Sequence, residues 1–337
     1  MNRIFRPFIA CLVVLGLFAS AAVAQDYPWK PTRPITIIVP WGAGGSTDQV
    51  TRVLAIELEA ELGQPVVIVN QPGASGSIGT NNALVADKDC YTWAAGAAQD
   101  LGSYLVLGML ETSLADWHVY LTVANTAVVG VNANTSYQTF PQLVDAMRAR
   151  PGQVPVATAG VTSAGHKAME QIAQALDLSY RHVTYEGGNP AVIATVGGET
   201  EVTTQLAVEQ AEMIRGGRIR PLAAVSNVPL ELDGFGTIPS IAEWIPGLTI
   251  AANYFGIWVP KGVPEACIAT FDMIWDNVIA DSELLANYAT ERGAIFDPSR
   301  SELAYERGMV VTTDNVWTLW DAGRAPVDPA SVGFTRP

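Results

Sequence analysis

Four times in this chain a short, β-branched run ends in a turn of glycine and other small residues and then opens into a helical pattern. The runs are 35–39, 66–69, 154–158 and 181–184, and the turns that follow are 40–45, 70–76, 159–163 and 185–189. Strands that alternate with helices in series predict an α/β architecture with mainly parallel sheets flanked by helices. In the first half, the helix over 47–62, the strand at 66–69, a second helix from Ile78 and a third strand at 91–95 complete a βαβαβ unit. Its two turns then lie at the carboxyl ends of neighbouring strands and face one crevice. Ser46 with Gln49 three residues on has the spacing of a capping box, and Gly63 is placed to end that helix.

A second series begins near Ala127, with a helix over 140–150 and the other two glycine turns. The stretch 226–247 is rich in proline and glycine and reads as a return crossing. The strand over 254–259, a helix from about Pro264 and C-terminal helices to Asp321 then finish the first unit. The expected division is therefore one lobe of 25–125 plus 250–337 and a second of 126–249, joined by two hinge crossings. A cleft between lobes is the default place for a ligand.

Residues 1–24 are a separate object. Arg3 and Arg6 precede an apolar run over 8–18, and Ala22-Val23-Ala24 has the small-x-small pattern of a signal-peptidase site. Eleven apolar residues fall short of the roughly 20 needed to span a bilayer. The reading is a cleaved secretory signal, with no membrane insertion afterwards. The whole chain carries 33 acidic against 19 basic residues, a net charge of −14, and losing Arg3 and Arg6 takes it to −16. Such a surface repels nucleic acid and anionic lipid. Cys90 and Cys267 remain in the mature chain and either form one disulfide or stay as two buried thiols.

Each glycine turn precedes a helix whose first N–H groups have no partner within the helix. Such turns can hold a carboxylate or phosphate through backbone N–H groups and the helix dipole, with no need for net positive charge. Hydrogen bonds to a charged group are worth about 1.5–3 kcal/mol each, and micromolar affinity needs about −8 kcal/mol, so four to six bonds suffice. The phosphate enzymes fit poorly. The first turn has no lysine followed by Ser or Thr, and the second strand ends in Asn70 where a dinucleotide fold needs an acid. Ser46, Ser75, Ser77 and Ser163 lie near turns without the G-x-S-x-G setting of a nucleophile elbow. His166 and Glu170, one helical turn apart, lack a third metal ligand and read as structural, as do His118 and His182. Asp48 reads as a brace for the first turn, whereas Trp41 and Tyr185 are candidates to wall a ligand cavity.

The run 34–48, PITIIVPWGAGGSTD, resembles the first ligand loop of the receptors of tripartite tricarboxylate transporters, the Bug family of periplasmic solute-binding proteins. The run 66–79, VVIVNQPGASGSIG, is similar to that family's second loop. Gly160, Ser163 and His166 match its G-x-x-S-x-x-H segment, and His182, Val183, Tyr185, Gly187 and Gly188 its next motif. The resemblance implies a two-lobed periplasmic binding protein, a monomer without cofactor or metal. It also implies that the protein encloses a small carboxylate and delivers it to integral membrane transporter subunits. Glu186 departs from the family's usual basic residue and Gln205 from a common Asp, an exchange that offers an amide donor to a carboxylate.

The ligand residues expected on this basis are Trp41, Ala43, Gly44, Gly45, Ser46, Thr47 and Asp48 in the first loop, and Gly73, Ala74, Ser75, Gly76 and Ser77 in the second. The far lobe is expected to contribute Gly160, Thr162, Ser163, His166, Tyr185, Gly187, Gly188 and Gln205. Gly45→Val and Gly76→Val are expected to abolish binding in a folded protein. Two other functions share parts of this reading: a sensor that docks on a membrane signalling partner, and a secreted hydrolase built on Ser163, His166 and Asp48.

Overall fold

The computed structural model describes residues 26–248 and 251–337. The signal expected over 1–24 and the boundary expected at 249–250 lie outside the described residues. The chain runs through β1 (Ile35–Val39), α1 (Ser46–Leu62), β2 (Val66–Asn70), α2 (Ser77–Leu84), β3 (Thr92–Ala97), α3 (Ala98–Val106) and β4 (Trp117–Asn125). It then builds a second unit from β5 (Ala127–Asn132), α4 (Phe140–Ala149), β6 (Pro155–Thr158), α5 (Ala164–Leu176), β7 (Arg181–Thr184), α6 (Gly188–Gly197), β8 (Val202–Thr203), α7 (Ala207–Arg215) and β9 (Ile219–Val225). A small hairpin, β10 (Leu230–Leu232) and β11 (Gly236–Ile238), occupies the stretch read as a return crossing. The chain returns through β12 (Asn253–Pro260), α8 (Glu265–Asn277), α9 (Glu283–Arg292), β13 (Ala294–Arg300) and α10 (Ser301–Asp321).

The two main sheets are ordered β13-β4-β12-β3-β1-β2 and β7-β6-β8-β5-β9. The fold is thus α/β and two-lobed, but the expectation of mainly parallel sheets needs correction: both sheets are mixed. β1 pairs in parallel with β2 and β3, whereas β12 is antiparallel to β3 and β4, and β5 is antiparallel to β8 and β9. The reason is the double crossing. Strands β1 to β4 and β6 to β9 run toward the cleft, while β5 and β12 carry the chain into a lobe from the cleft and so run the opposite way; the edge strand β13, entered from α9, is also antiparallel to β4. Only Thr126 separates β4 from β5, and Asn125 at the end of β4 pairs with Asn253 at the start of β12.

All of β1 except Thr36 is buried, as a central strand covered on both faces requires. Beside it, Trp93 meets Phe271 edge-on at 4.5 Å and Tyr120 packs on Trp275 at 4.8 Å. Of the two fates open to the cysteines, the structure takes the bond: Cys90 and Cys267 are joined across a Cα separation of 6.5 Å, tying the start of β3 to α8.

Candidate functional site

The expected capping box does not form at α1. Gly45 takes the extended N-cap position with no side-chain cap, which makes Ser46 the first helical residue, its N–H without a partner inside the helix and turned into the cleft. The loop before it is braced by Asp48, whose carboxylate accepts from Gly44 N–H at 2.9 Å, from Arg52 at 2.8 and 3.0 Å and from Asn70 Nδ2 at 3.0 Å. Burial works against the charge, but these donors hold the Asp48 carboxyl below its ordinary range.

Opposite this loop, five helix N-termini converge on one cavity. From the first lobe come α1, through Gly45, Ser46 and Thr47, and α3, through Ala97. From the second come α5, through Ser163 and Ala164, α6, through Gly188, and α7, through Leu206. Trp41, Ala159 and Phe255 wall it, and its volume is about 30 Å³. Each N-terminus acts as roughly half a positive charge. Two acids answer that field: Asp100 in the first turn of α3 and Glu209 in the first turn of α7, 3% and 8% exposed. Trp41 Nε1 donates to Asp100 Oδ2 at 3.3 Å, and burial pushes the Asp100 carboxyl up to about 7 against the Trp41 and Ala97 N–H groups.

Glu209 sits where the two lobes meet. Its Oε2 accepts from Leu206 N–H at 3.2 Å within its own helix turn, and its Oε1 accepts from Ser46 N–H of the opposite lobe at 2.9 Å. The Gln205 amide, oriented by its neighbours, donates to Glu209 Oε2 at 2.8 Å and accepts from Ala159 N–H at 2.7 Å. Gly188 leaves the room this carboxylate fills, since a Cβ there would lie 2.0 Å from Oε1. Burial raises the Glu209 carboxyl above its ordinary range, opposed by the Ser46 and Leu206 N–H groups. The amide of Gln205 therefore does serve a carboxylate, and that carboxylate is the protein's own.

The expected residues divide into three groups. Trp41, Gly45, Ser46, Thr47, Ser163, Gly188 and Gln205 line the cavity. Others form the seam between the lobes: Thr162 Oγ1 donates to the Ser75 carbonyl at 2.9 Å, Val161 N–H to Ser75 Oγ at 3.3 Å and Gly42 N–H to the Glu186 carbonyl at 2.7 Å. Gly44 packs on Asn189, Gly160 on Ser75 and Gly187 on Gly42 along the same seam. The third group shapes turns or packs behind the cavity: Ala43, Asp48, Gly73, Ala74, Gly76, Ser77, His166 and Tyr185. Ser77 Oγ donates back to the Ala74 carbonyl at 2.9 Å. Tyr185 faces Glu199, which together with burial pushes its hydroxyl up to about 12.

The serine, histidine and aspartate of the hydrolase reading are not assembled. Ser163 Oγ donates to the Gly160 carbonyl at 2.7 Å and caps α5 by accepting from His166 N–H. His166 Nδ1 faces the Val161 carbonyl at 2.9 Å, its Nε2 lies 3.3 Å from Glu170, and its ring stacks on His182 at 4.3 Å. Asp48 is held by Arg52 in the other lobe. Among the described residues no group of three or more His, Cys, Asp or Glu is placed to hold a metal ion, and no helix is long and apolar enough to cross a membrane.

Sequence reasoning missed Ala97, Asp100, Leu206, Glu209 and Phe255. It found turns by their glycines, whereas α3 and α7 start from alanine and leucine turns. The signal that was available is an acid in the first turn after a small-residue strand end, as in 92–100.

The chain is similar to known proteins along most of its length. Residues 50–283 match the family described as the tripartite tricarboxylate transporter family receptor. The chain belongs to that family. It is similar to Protein BugT of Bordetella pertussis, 30% identical over 287 residues, which cover 83% of this chain and 87% of that protein. Among solved structures, a Rhodopseudomonas palustris protein described as Rpa4515 with adipate shares the fold at a TM-score of 0.80 and 24% identity, over 88% of this chain and 99% of its own. MatC of Rhodopseudomonas palustris with bound malate gives 0.76 at 21% identity, over 84% and 99%.

Proposed function

We propose that this protein captures a small carboxylate between its lobes and delivers it to the integral membrane subunits of a tripartite tricarboxylate-type transporter. The observation that carries the reading is the convergence of five helix N-termini, drawn from both lobes, on one cavity. Closing the cleft completes that ring of donors, so ligand binding and lobe closure are one event. Carboxylates named for two proteins of the same fold, adipate and malate, support the ligand class.

In this reading 25–125 plus 250–337 and 126–249 move as two bodies about Thr126 and the return crossing. The chain is exported by a cleaved signal over 1–24 and works in the periplasm as a monomer. The loops at 41–48 and 70–77 bind from one side, and those at 159–166 and 185–189, with Gln205, from the other. A thermal-shift screen over mono-, di- and tricarboxylates and amino acids tests it. A ligand at 100 times its Kd adds about 2.7 kcal/mol of stability. A complete absence of shift with every carboxylate overturns the proposal.

A further inference from the structure

The cavity has an unusual charge balance for a carboxylate receptor. Its lining holds two acids and, among the described residues, no lysine, arginine or histidine. Glu209 cannot easily leave. It is anchored on its own lobe by Leu206 N–H and Gln205, and it occupies the Ser46 N–H that a ligand carboxylate would use. A second carboxylate at that point would lie against the first. A donor group would instead complete the acceptor capacity left on Glu209 and Asp100.

A second chamber of about 30 Å³ shares Ala164 and Leu206 with the first and reaches the hinge. Asn125 and Asn253, paired across β4 and β12, line it with 5% and 6% exposure, and in each amide both the oxygen and the nitrogen lack a hydrogen-bond partner. Gln99 beside them is fully buried; its Nε2 donates to the Thr162 carbonyl at 2.8 Å and its Oε1 has no partner. Two buried amides with idle N–H donors, with Lys167 on the same lining and paired to Asp314 at 2.5 Å, make a carboxylate-binding end, and the two acids make an ammonium-binding end.

Resting on the carboxylate-receptor reading above, we propose that the cleft selects a carboxylate that also carries a protonated nitrogen, an amino-acid-type zwitterion. Glu209 and Asp100 accept from the ammonium, and Asn125 and Asn253 donate to the carboxylate. The two acids also set specificity, because an ammonium brings N–H donors to the Glu209 and Asp100 oxygens, whereas the second carboxylate of a matched dicarboxylate brings only acceptors.

Calorimetry with length-matched sets tests this, for example 4-aminobutanoate, succinate and butanoate, together with the α-amino acids. The wild-type protein should bind at least one amino acid ten-fold or more tightly than the matched dicarboxylate. Glu209→Gln retains a residue able to cap α7, and together with Asp100→Asn it should erase or reverse that preference. Wild-type preference for the dicarboxylate, or an unchanged preference in folded variants, overturns the zwitterion proposal and leaves the carboxylate receptor standing. Binding of no carboxylate of either kind removes both. If a variant does not fold by circular dichroism, the wild-type ratio alone decides.

Discussion

Asp100, in the first turn of α3, is 3% exposed. Its carboxyl is pushed up to about 7 by burial, so the folded protein holds a proton there that the unfolded chain releases near pH 4. A raised carboxyl contributes stability that is present below pH 4 and lost as pH rises through about 7. Asp100→Asn should therefore raise the unfolding free energy most at pH 8, by about 1–3 kcal/mol, and flatten part of the decline between pH 4 and 8. Scanning calorimetry across that range checks it. Glycine substitutions separate binding from folding less uniformly than the sequence suggests. At Gly45 a Cβ stays 3.4 Å or more from its neighbours, so Gly45→Val should fold and lose ligand heat by calorimetry. At Gly76 the backbone is left-handed at φ +91° and a Cβ would lie 2.6 Å from the Tyr104 hydroxyl. Gly76→Val should destabilise the fold by about 1–3 kcal/mol, visible in urea unfolding.

At the level of elements, the helix starts carry both the architecture and the chemistry. α5 has a side-chain cap in Ser163, and Ser163→Ala should cost about 1 kcal/mol in urea unfolding, with the loss falling on the second lobe. α1 has none, and its unspent Ser46 N–H reaches across to Glu209. Inside α5, Glu170 is held at about 2: burial opposes the charge, but hydrogen bonds from His166 and Tyr180 and the charge of Arg324 overcome it. A depressed carboxyl contributes stability that is present above about pH 4.5 and lost as pH falls through about 2. Glu170→Gln should thus be destabilising at pH 7 and nearly neutral at pH 2, as read by melting temperature.

Across the whole molecule, the lobes are joined by more than the cavity. Thr162 bonds Ser75 and Gln99, Lys167 Nζ meets Asp314 Oδ2 at 2.5 Å, and Arg324 reaches Glu170 at 3.2 Å. Thr162→Val removes the first of these ties without changing volume. It should shift the ligand-free protein toward an open form, seen as a larger radius of gyration by solution scattering. Cys90–Cys267 joins two parts of the first lobe across a sequence separation of 177 that takes in β5 to β11. Reduction, or Cys90→Ala with Cys267→Ala, should lower stability by about 2–4 kcal/mol in denaturant unfolding.

The sequence by itself determined the elements that depend on local pattern. The β-branched runs, the glycine turns and the helix stop at Gly63 fall where neighbouring residues alone place them, and so do the collinear motifs of the receptor family. Strand direction and the chemistry of the cleft were decided only in the tertiary structure. β5 and β12 run against their neighbours because the chain crosses between lobes twice, a property of the path and not of any local run. Ser46, Asp100, Gln205 and Glu209 meet because five helix starts, separated by up to 163 positions in the Ser46–Glu209 bond, are brought to one point. No periodicity encodes that meeting, since a charge is placed by what the fold brings beside it.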